Sequence, residues 1–333
     1  MPTPNSSVRI AIVGANSPRG KELTDVLEAR GFAGAAIHLY DEDIAVGTLT
    51  RAGDEVAVIA SVDESSFEKT DAVFFAGRAE MAARHAEQAR RAGARVIDLS
   101  EDPGLETAAP RIPALDSLLG QPENVSRQIL RSPSAAAIVA ASISAALEGL
   151  HPSRLAMVFF RPVSERGQEG IDELERQTVS LLSFRPVSDD VFGAQVAFNL
   201  MDSYGPGGQP SLDDVRRSIA LDTERALNRR AAMPALRVVQ APVFFSYAFT
   251  VYADLRELVE TREIEAALTK AGLRIEAQTE PRPTSMSVTG RPEAVLGPVE
   301  RDAAAVSGYW LWGAADNVRL VATNAADILE TLP

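Results

Sequence analysis

Short apolar runs alternate with helix-length amphipathic segments through the first half of the chain. The runs are rich in β-branched residues and lie at 8–14, 35–40, 56–60, 71–77 and 94–100. Buried strands separated by helical segments are typical of a parallel sheet with crossover helices. This half is therefore predicted to be an α/β domain with a doubly wound parallel sheet.

The pattern changes near residue 154, where longer and often alternating runs predict strands with helices interspersed. The predicted strands lie at 154–164, 194–200, 236–255, 285–290 and 308–316. Helical spacing recurs at 171–182 and 211–228, and the chain ends in a short amphipathic segment. The second half is therefore predicted to be an α+β domain, and we expect its open sheet face to form a homodimer. The predicted division is 1–131 plus 314–333 against 132–313.

The first predicted strand runs into a glycine-containing turn, and the second strand ends at an acidic residue. This layout of strand, turn, helix, strand and acid is that of a Rossmann-like dinucleotide-binding unit. Ser17 stands where a middle glycine would let the backbone approach the phosphates, so an unused turn remains the alternative. The candidate cofactor residues are Gly14, Asn16, Ser17, Pro18, Arg19, Gly20, Asp41, Ala76 and Gly77.

Asp41 indicates which dinucleotide would bind. A carboxylate at this place accepts a ribose 2′-hydroxyl and repels a 2′-phosphate. Glu42 and Asp43 follow it, with no arginine beside them. NAD is therefore expected over NADP, with a solvated turn residue as the alternative for Asp41.

The composition of the chain limits which partners, catalytic groups and metal sites are expected. The net charge of −13 disfavours nucleic acid and anionic membrane surfaces as partners. The chain has no cysteine and only three histidines, so neither a thiol nucleophile nor a zinc site is expected. No run reaches membrane-spanning length and the start lacks the features of a signal peptide, which predicts a cytoplasmic protein.

A polar turn at 131–134 opens onto a helix of small residues, where many enzymes place a nucleophile at the positive end of a helix. Here the turn is followed by Ala135, Ala136 and Ala137. Ser134 fits the N-cap position of that helix, because a serine oxygen there accepts a backbone N–H. No histidine is expected near enough to activate it as a nucleophile.

Several blocks together resemble the aspartate-semialdehyde dehydrogenase family over nearly the whole chain. They are VRIAIVGANSPRGKEL, DAVFFAGRAEMAARHAEQARRAGARVIDLS, FFRPVSERGQEGIDELERQT, VAFNL, APVFF and ADNVR. The resemblance implies a dimer with a nucleotide domain and an α+β catalytic and dimerisation domain. It also implies reduction of an acyl-phosphate through a cysteine thioester with a nicotinamide cofactor, and it places Asn317 near the nicotinamide.

The catalytic groups that the resemblance implies are replaced in this chain. Ala135 falls at the position of the nucleophilic cysteine and Arg161 at that of the family glutamine. Gln240 falls at the position of the arginine that grips the substrate carboxylate, and Tyr247 at that of the general-base histidine. The expected protein is a NAD-binding homodimer that lacks the family reaction and acts as a sensor, regulator or accessory subunit.

Two alternatives stay open at this stage. The chain could be an active oxidoreductase that transfers hydride directly to a carbonyl, with Tyr247 as proton donor and Arg161 holding a small anionic ligand. Arg161 could equally form a salt bridge within its own loop. The chain could also be a structural partner in a hetero-oligomer with a genuine dehydrogenase chain.

Overall fold

The computed structural model describes residues 8–32, 36–42, 47, 49–52, 55–63, 65–100, 105–121 and 129–332. The chain forms two compact units. The first comprises 1–113, 122–133 and 321–333, and the second comprises 114–121 and 134–320. The predicted division differs from this one at 114–121, 132–133 and 314–320.

The first unit is built on a six-stranded, wholly parallel sheet. Its strands are β1 (Arg9–Val13), β2 (Ala36–Tyr40), β5 (Ala72–Phe75), β6 (Arg95–Asp98), β7 (Ala109–Pro110) and β8 (Leu130–Arg131), in the order β2-β1-β5-β6-β8-β7. The helices α1 (Pro18–Ala29) and α2 (Ala79–Arg91) follow β1 and β5, and an antiparallel pair, β3 (Leu49–Ala52) and β4 (Glu55–Val58), lies outside the sheet. The predicted doubly wound parallel sheet is confirmed.

Both faces of this sheet are buried, which explains its nearly continuous apolar runs. On one face, Val13 and Phe75 belong to a cluster with Met81 and Ala86 of α2. Alanine is the best helix former and its small side chain lets α2 lie close to the strands. This packing accounts for the high alanine content of α2.

The C-terminal helix α8 (Arg319–Thr331) completes the first unit with its residues from 321 onward. Asn324 donates from its side chain to the carbonyl of Arg111 and to the hydroxyl of Ser132, both at 2.9 Å. Arg30 at the end of α1 pairs with Asp327 and, at 3.1 Å, with Glu330. These polar contacts fix the end of the chain on the unit in which it began.

The second unit is a mixed sheet with helices. Its strands are β9 (Pro152–Arg161), β10 (Ala235–Gln240), β11 (Tyr247–Leu255), β12 (Arg274–Ile275), β13 (Val295–Leu296), β14 (Glu300–Arg301) and β15 (Gly308–Ala315). Their order is β10-β9-β11-β15-β13-β12, with β14 beside β15. The helices are α3 (Asp116–Leu119), α4 (Ala135–Glu148), α5 (Gly167–Leu182), α6 (Leu212–Leu227) and α7 (Thr261–Lys270). The α+β expectation is confirmed.

Two predicted strands are wrong. Residues 285–290 form turns, and residues 194–200 form turns and irregular backbone. In the second case the backbone N–H groups of Val196 and Ala197 donate to the side-chain oxygen of Gln177, at 2.7 and 3.1 Å. Hydrogen bonds that a strand would make to a neighbour are made to a helix side chain instead.

The long run at 236–255 is also divided in two. It forms β10 and β11, which are separated by an irregular link in which Ser246 has a φ of 68°. Tyr247, Phe249 and Val251 share the buried face of β11, whereas Phe245 lies in the link and is 41% exposed. None of the helices in the described ranges is long and apolar enough to cross a membrane.

Candidate functional site

The glycine turn lies at the topological switch point of the first sheet, between β1 and β5, where the strand order reverses. Gly14 has a φ of 86°, and a Cβ atom placed on it would lie 2.3 Å from the backbone nitrogen of Gly77. A Cβ on Gly20 would lie 2.3 Å from the Gly14 carbonyl oxygen. Open α/β sheets bind ligands at this point, outside the carboxyl ends of the strands. The three glycines therefore bring the turn, α1 and the end of β5 close together at the expected binding edge.

Ser17, which stands where a middle glycine was expected, has a structural role of its own. Its hydroxyl accepts from the N–H of Gly20 at 2.9 Å and donates to the carbonyl of Ala76 at 2.7 Å. Ser17 thus caps α1, which begins at Pro18, and ties the turn to the end of β5. Arg19 points into the unit, where Nη1 donates to the carbonyls of Leu99 and Ser100 at 3.0 and 2.5 Å.

Asp41 lies at the same edge, directly after β2. Its carboxylate accepts from the N–H of Asn16 at 2.8 Å and from the N–H of Glu42 at 2.9 Å. Each carboxylate oxygen has a further lone pair, so the group can hold the turn and still accept a ribose hydroxyl. The structure shows the turn contacts, and the ribose contact of Asp41 stays a prediction. Asp43 lies outside the described residues.

In the second unit, α4 begins at Ala135, the position that the resemblance assigns to a nucleophile. Ala135 is fully buried, as are the next two alanines. Ser134 is the N-cap residue, and its hydroxyl accepts from the N–H of Ala137 at 3.4 Å. The predicted cap is confirmed, and the methyl group of Ala135 offers no atom for covalent catalysis.

Arg161 and Gln240 end the neighbouring parallel strands β9 and β10, and both side chains are fully buried. Arg161 donates to the hydroxyl of Tyr204 at 3.2 Å and to the carbonyl of Glu165 at 3.1 Å. Tyr204 in turn donates to the side-chain oxygen of Gln240 at 2.7 Å. The Gln240 amide donates to the carbonyls of Arg161 and Ala241 at 2.8 and 3.0 Å. These residues form one connected polar group, which we call the Arg161 network.

Tyr204 was not among the predicted site residues, and it joins Arg161 to Gln240. Burial raises the pKa of Tyr204, and the charge of Arg161 opposes that shift. The phenol therefore stays protonated at neutral pH and serves as the donor to Gln240. No sequence signal pointed to it, because it lies in a polar loop, four residues after the end of a segment predicted to be a strand.

Tyr247, at the position that the resemblance gives to a general base, begins β11 and is almost completely buried. Its ring stands edge-on to Phe159, with the ring centroids 6.1 Å apart. Phe159 also packs on Phe249. Tyr247 is therefore part of an aromatic core.

Asn317, a predicted cofactor contact, is fully buried in the second unit. Its side chain accepts from the N–H of Ser246 at 2.9 Å and donates to Glu165 Oε1 at 2.7 Å and to Ser164 Oγ at 3.1 Å. The carboxamide thus joins the loop after β9 to the link before β11. A contact of Asn317 with a cofactor stays a prediction.

Two residues in the block that carried the resemblance have a clear structural function. Glu173 on α5 accepts from the N–H groups of Val191 and Phe192 at 2.6 and 3.2 Å. Gln177, one turn later, accepts two further N–H groups of the same loop and donates to the carbonyl of Ala194 at 3.2 Å. Together they fix the loop that carries Tyr204. Among the described residues, no three His, Asp or Glu side chains are grouped to hold a metal ion.

Comparison with known sequences decides the family. The model for the NAD-binding domain of semialdehyde dehydrogenases matches residues 9–131, and the model for their dimerisation domain matches residues 146–320. The chain belongs to the semialdehyde dehydrogenase family. The NAD-binding match supports a nicotinamide cofactor, and the second match supports a dimer.

Known proteins and solved structures resemble the chain over nearly its full length. A protein of Pseudomonas aeruginosa named "USG-1 protein homolog" is 29% identical, over 98% of this chain and 97% of that protein. The structure of a probable aspartate-semialdehyde dehydrogenase from the same organism is 30% identical, with a TM-score of 0.86 over 97% of this chain and 98% of that one. Aspartate semialdehyde dehydrogenase II of Vibrio cholerae is 25% identical, with a TM-score of 0.84 over the same shares.

Proposed function

We propose that this chain is a NAD-binding homodimer that does not catalyse the phosphorylating dehydrogenation of its family, and acts as a sensor or accessory subunit. The observation that carries the proposal is Ala135, buried at the start of α4 in a chain without cysteine. A thioester mechanism requires a nucleophile that ionises near neutral pH, and alanine has no such group.

The surrounding positions support the same conclusion. Tyr247 packs in an aromatic core, where a phenol is a poor acceptor for a substrate proton. Gln240 carries no charge for a substrate carboxylate, and its amide is bound to two backbone carbonyls. Arg161 is fully buried and donates to the Tyr204 hydroxyl and to the Glu165 carbonyl, so its guanidinium is already engaged within the protein.

The cofactor part of the proposal rests on the first unit. The turn keeps its close glycine contacts, and Asp41 keeps an oxygen lone pair for a ribose hydroxyl. NAD is the proposed cofactor. We propose the open face of the second sheet as the dimer surface. There Trp310 is 42% exposed and its ring lies 4.9 Å from that of Tyr252.

The test combines binding with turnover. Calorimetric titration with NADH should give saturable binding, and sedimentation should give a dimer. Protein from a host that lacks its own aspartate-semialdehyde dehydrogenase should form no NADH from aspartate semialdehyde, NAD and phosphate. Phosphate-dependent turnover would refute the proposal. Oxidation of NADH by an aldehyde or ketone without phosphate would refute it as well, in favour of direct hydride transfer.

A further inference from the structure

Glu42 directly follows Asp41 and is bound by two arginines from another part of the first unit. Its carboxylate meets Arg84 twice, with Nη1–Oε1 at 2.8 Å and Nη2–Oε2 at 3.1 Å. Arg78 Nη2 lies 3.6 Å from Glu42 Oε2. The Glu42 side chain is 18% exposed, whereas the arginine side chains are 59% and 57% exposed. We call these three residues the Glu42 cluster.

The Glu42 cluster lies at the edge where a dinucleotide is expected. Strands β2, β1 and β5 are adjacent and parallel, so the residues after their carboxyl ends share one edge of the sheet. Asp41 and Glu42 follow β2, and Arg78 follows Gly77, which contacts the Gly14 turn. The cluster is therefore beside the group that would hold the adenosine ribose.

In dinucleotide-binding folds, an arginine near the acidic residue that binds the ribose accommodates a 2′-phosphate. The position of Arg78 and Arg84 therefore bears on cofactor specificity. No arginine stands among the residues directly after Asp41, but the fold supplies Arg78, which precedes α2, and Arg84, in the second turn of α2. Guanidinium groups bind phosphate through paired, charge-assisted hydrogen bonds. In this structure the paired geometry of Arg84 is directed to Glu42.

We infer that Glu42 determines cofactor specificity by occupying Arg78 and Arg84, which would otherwise form a site for a 2′-phosphate. Glu42 acts in two ways: it binds the two guanidinium groups, and its own charge repels a second anion. A ribose with a free 2′-hydroxyl needs neither arginine and is bound through Asp41. This inference rests on the proposed binding of NAD.

A purely structural role for the cluster makes a different prediction. Exposed ion pairs contribute little to stability, typically below about 1 kcal/mol. If the pairs were only surface contacts, loss of Glu42 would leave the affinities for both dinucleotides unchanged. The comparison of two ligands that differ by one phosphate therefore separates the two roles.

The test is calorimetric titration of NADH and NADPH against the full-length protein and the Glu42→Gln variant. The wild-type protein should bind NADH more tightly. Glu42→Gln should strengthen NADPH binding about tenfold or more and change NADH binding by less than about threefold. Adding Arg84→Ala to that variant should reverse the gain. Glu80→Gln, which makes the same charge change at an exposed position on α2, is the matched control.

Each outcome has a distinct meaning. An unchanged NADPH to NADH ratio in Glu42→Gln, with NADH still bound, overturns the role of Glu42 and leaves the proposed function intact. An equal gain in Glu80→Gln also overturns it, because the effect would then be one of net charge. If neither protein binds either dinucleotide, the proposed function fails, and this inference fails with it.

Discussion

Replacing Glu173 by alanine tests how the loop that carries Tyr204 is fixed. The carboxylate accepts the N–H groups of Val191 and Phe192, and Glu173 and Phe192 are fully buried. Alanine would leave both donors without their acceptor. The side-chain amide of Gln177, 3.3 Å from Glu173 Oε1, would lose one of its acceptors as well.

The expected loss of unfolding free energy follows from the number and burial of these donors. A hydrogen bond to a charged acceptor contributes about 1.5–3 kcal/mol, so two bonds amount to about 3–6 kcal/mol. Val191 is only half-buried, so water can replace part of that contribution. Removing a buried carboxylate also relieves its desolvation. We therefore expect Glu173→Ala to lower the free energy of unfolding by about 2–4 kcal/mol.

The assay is urea unfolding, with hydrogen exchange at Val191 and Phe192 as the local measurement. Both amides should lose protection by more than those of β9, because the loop opens before the sheet does. Glu175→Ala is the matched control, since Glu175 is exposed on the same helix. It should change stability by less than about 0.5 kcal/mol. Equal effects of the two substitutions would show that the Glu173 carboxylate does not fix the loop.

Three further predictions concern pH, the cofactor turn and the cap of α4. Burial raises the pKa of Glu173, so the contribution of Glu173 to the free energy of unfolding is full at acid pH and declines as pH rises through that raised pKa. The stability of Glu173→Gln should therefore increase relative to that of the wild type from acidic to neutral pH. Urea unfolding at each pH measures the difference. Gly14→Ala should abolish NADH binding in a calorimetric titration, because the new Cβ would lie 2.3 Å from the Gly77 nitrogen. Gly31→Ala is the control, since Gly31 has a similar φ of 85° and its new Cβ would have no atom within 4 Å. This variant should preserve NADH binding. Ser134→Ala should lower the unfolding free energy by about 0.5–1 kcal/mol through loss of the cap, and an unchanged urea midpoint would contradict this.

Much of the fold could be predicted because its signals are local. The parallel sheet of the first unit is buried on both faces, so its strands are nearly continuous apolar runs, and helix-length segments separate them. The cap at Ser134 follows from residue type and position alone. The strand prediction for 194–200 was wrong because backbone N–H groups of this run donate to the side chain of Gln177, which is distant in sequence.

The site could be predicted only where its residues lie close together in sequence. The Gly14 turn and Asp41 belong to one strand-turn-helix-strand pattern. The approach of Arg78 and Arg84 to Glu42, by contrast, depends on the register of β1 with both β2 and β5. Tyr204 contacts Arg161 and Gln240 from a loop in which apolar residues have no regular spacing. Pairings of this kind arise from tertiary structure and leave no local pattern.

The most direct test of the account is a single-turnover experiment at stoichiometric protein concentration. Wild-type protein and Ala135→Cys are each mixed with NAD, aspartate semialdehyde and phosphate, and NADH is followed by its absorbance. We predict no rapid NADH from the wild type. We also predict none from Ala135→Cys, because Gln240 and Tyr247 would still stand where the resemblance implies the substrate arginine and the base. One equivalent of rapidly formed NADH from the wild type would contradict the account, since no trace contaminant can supply it.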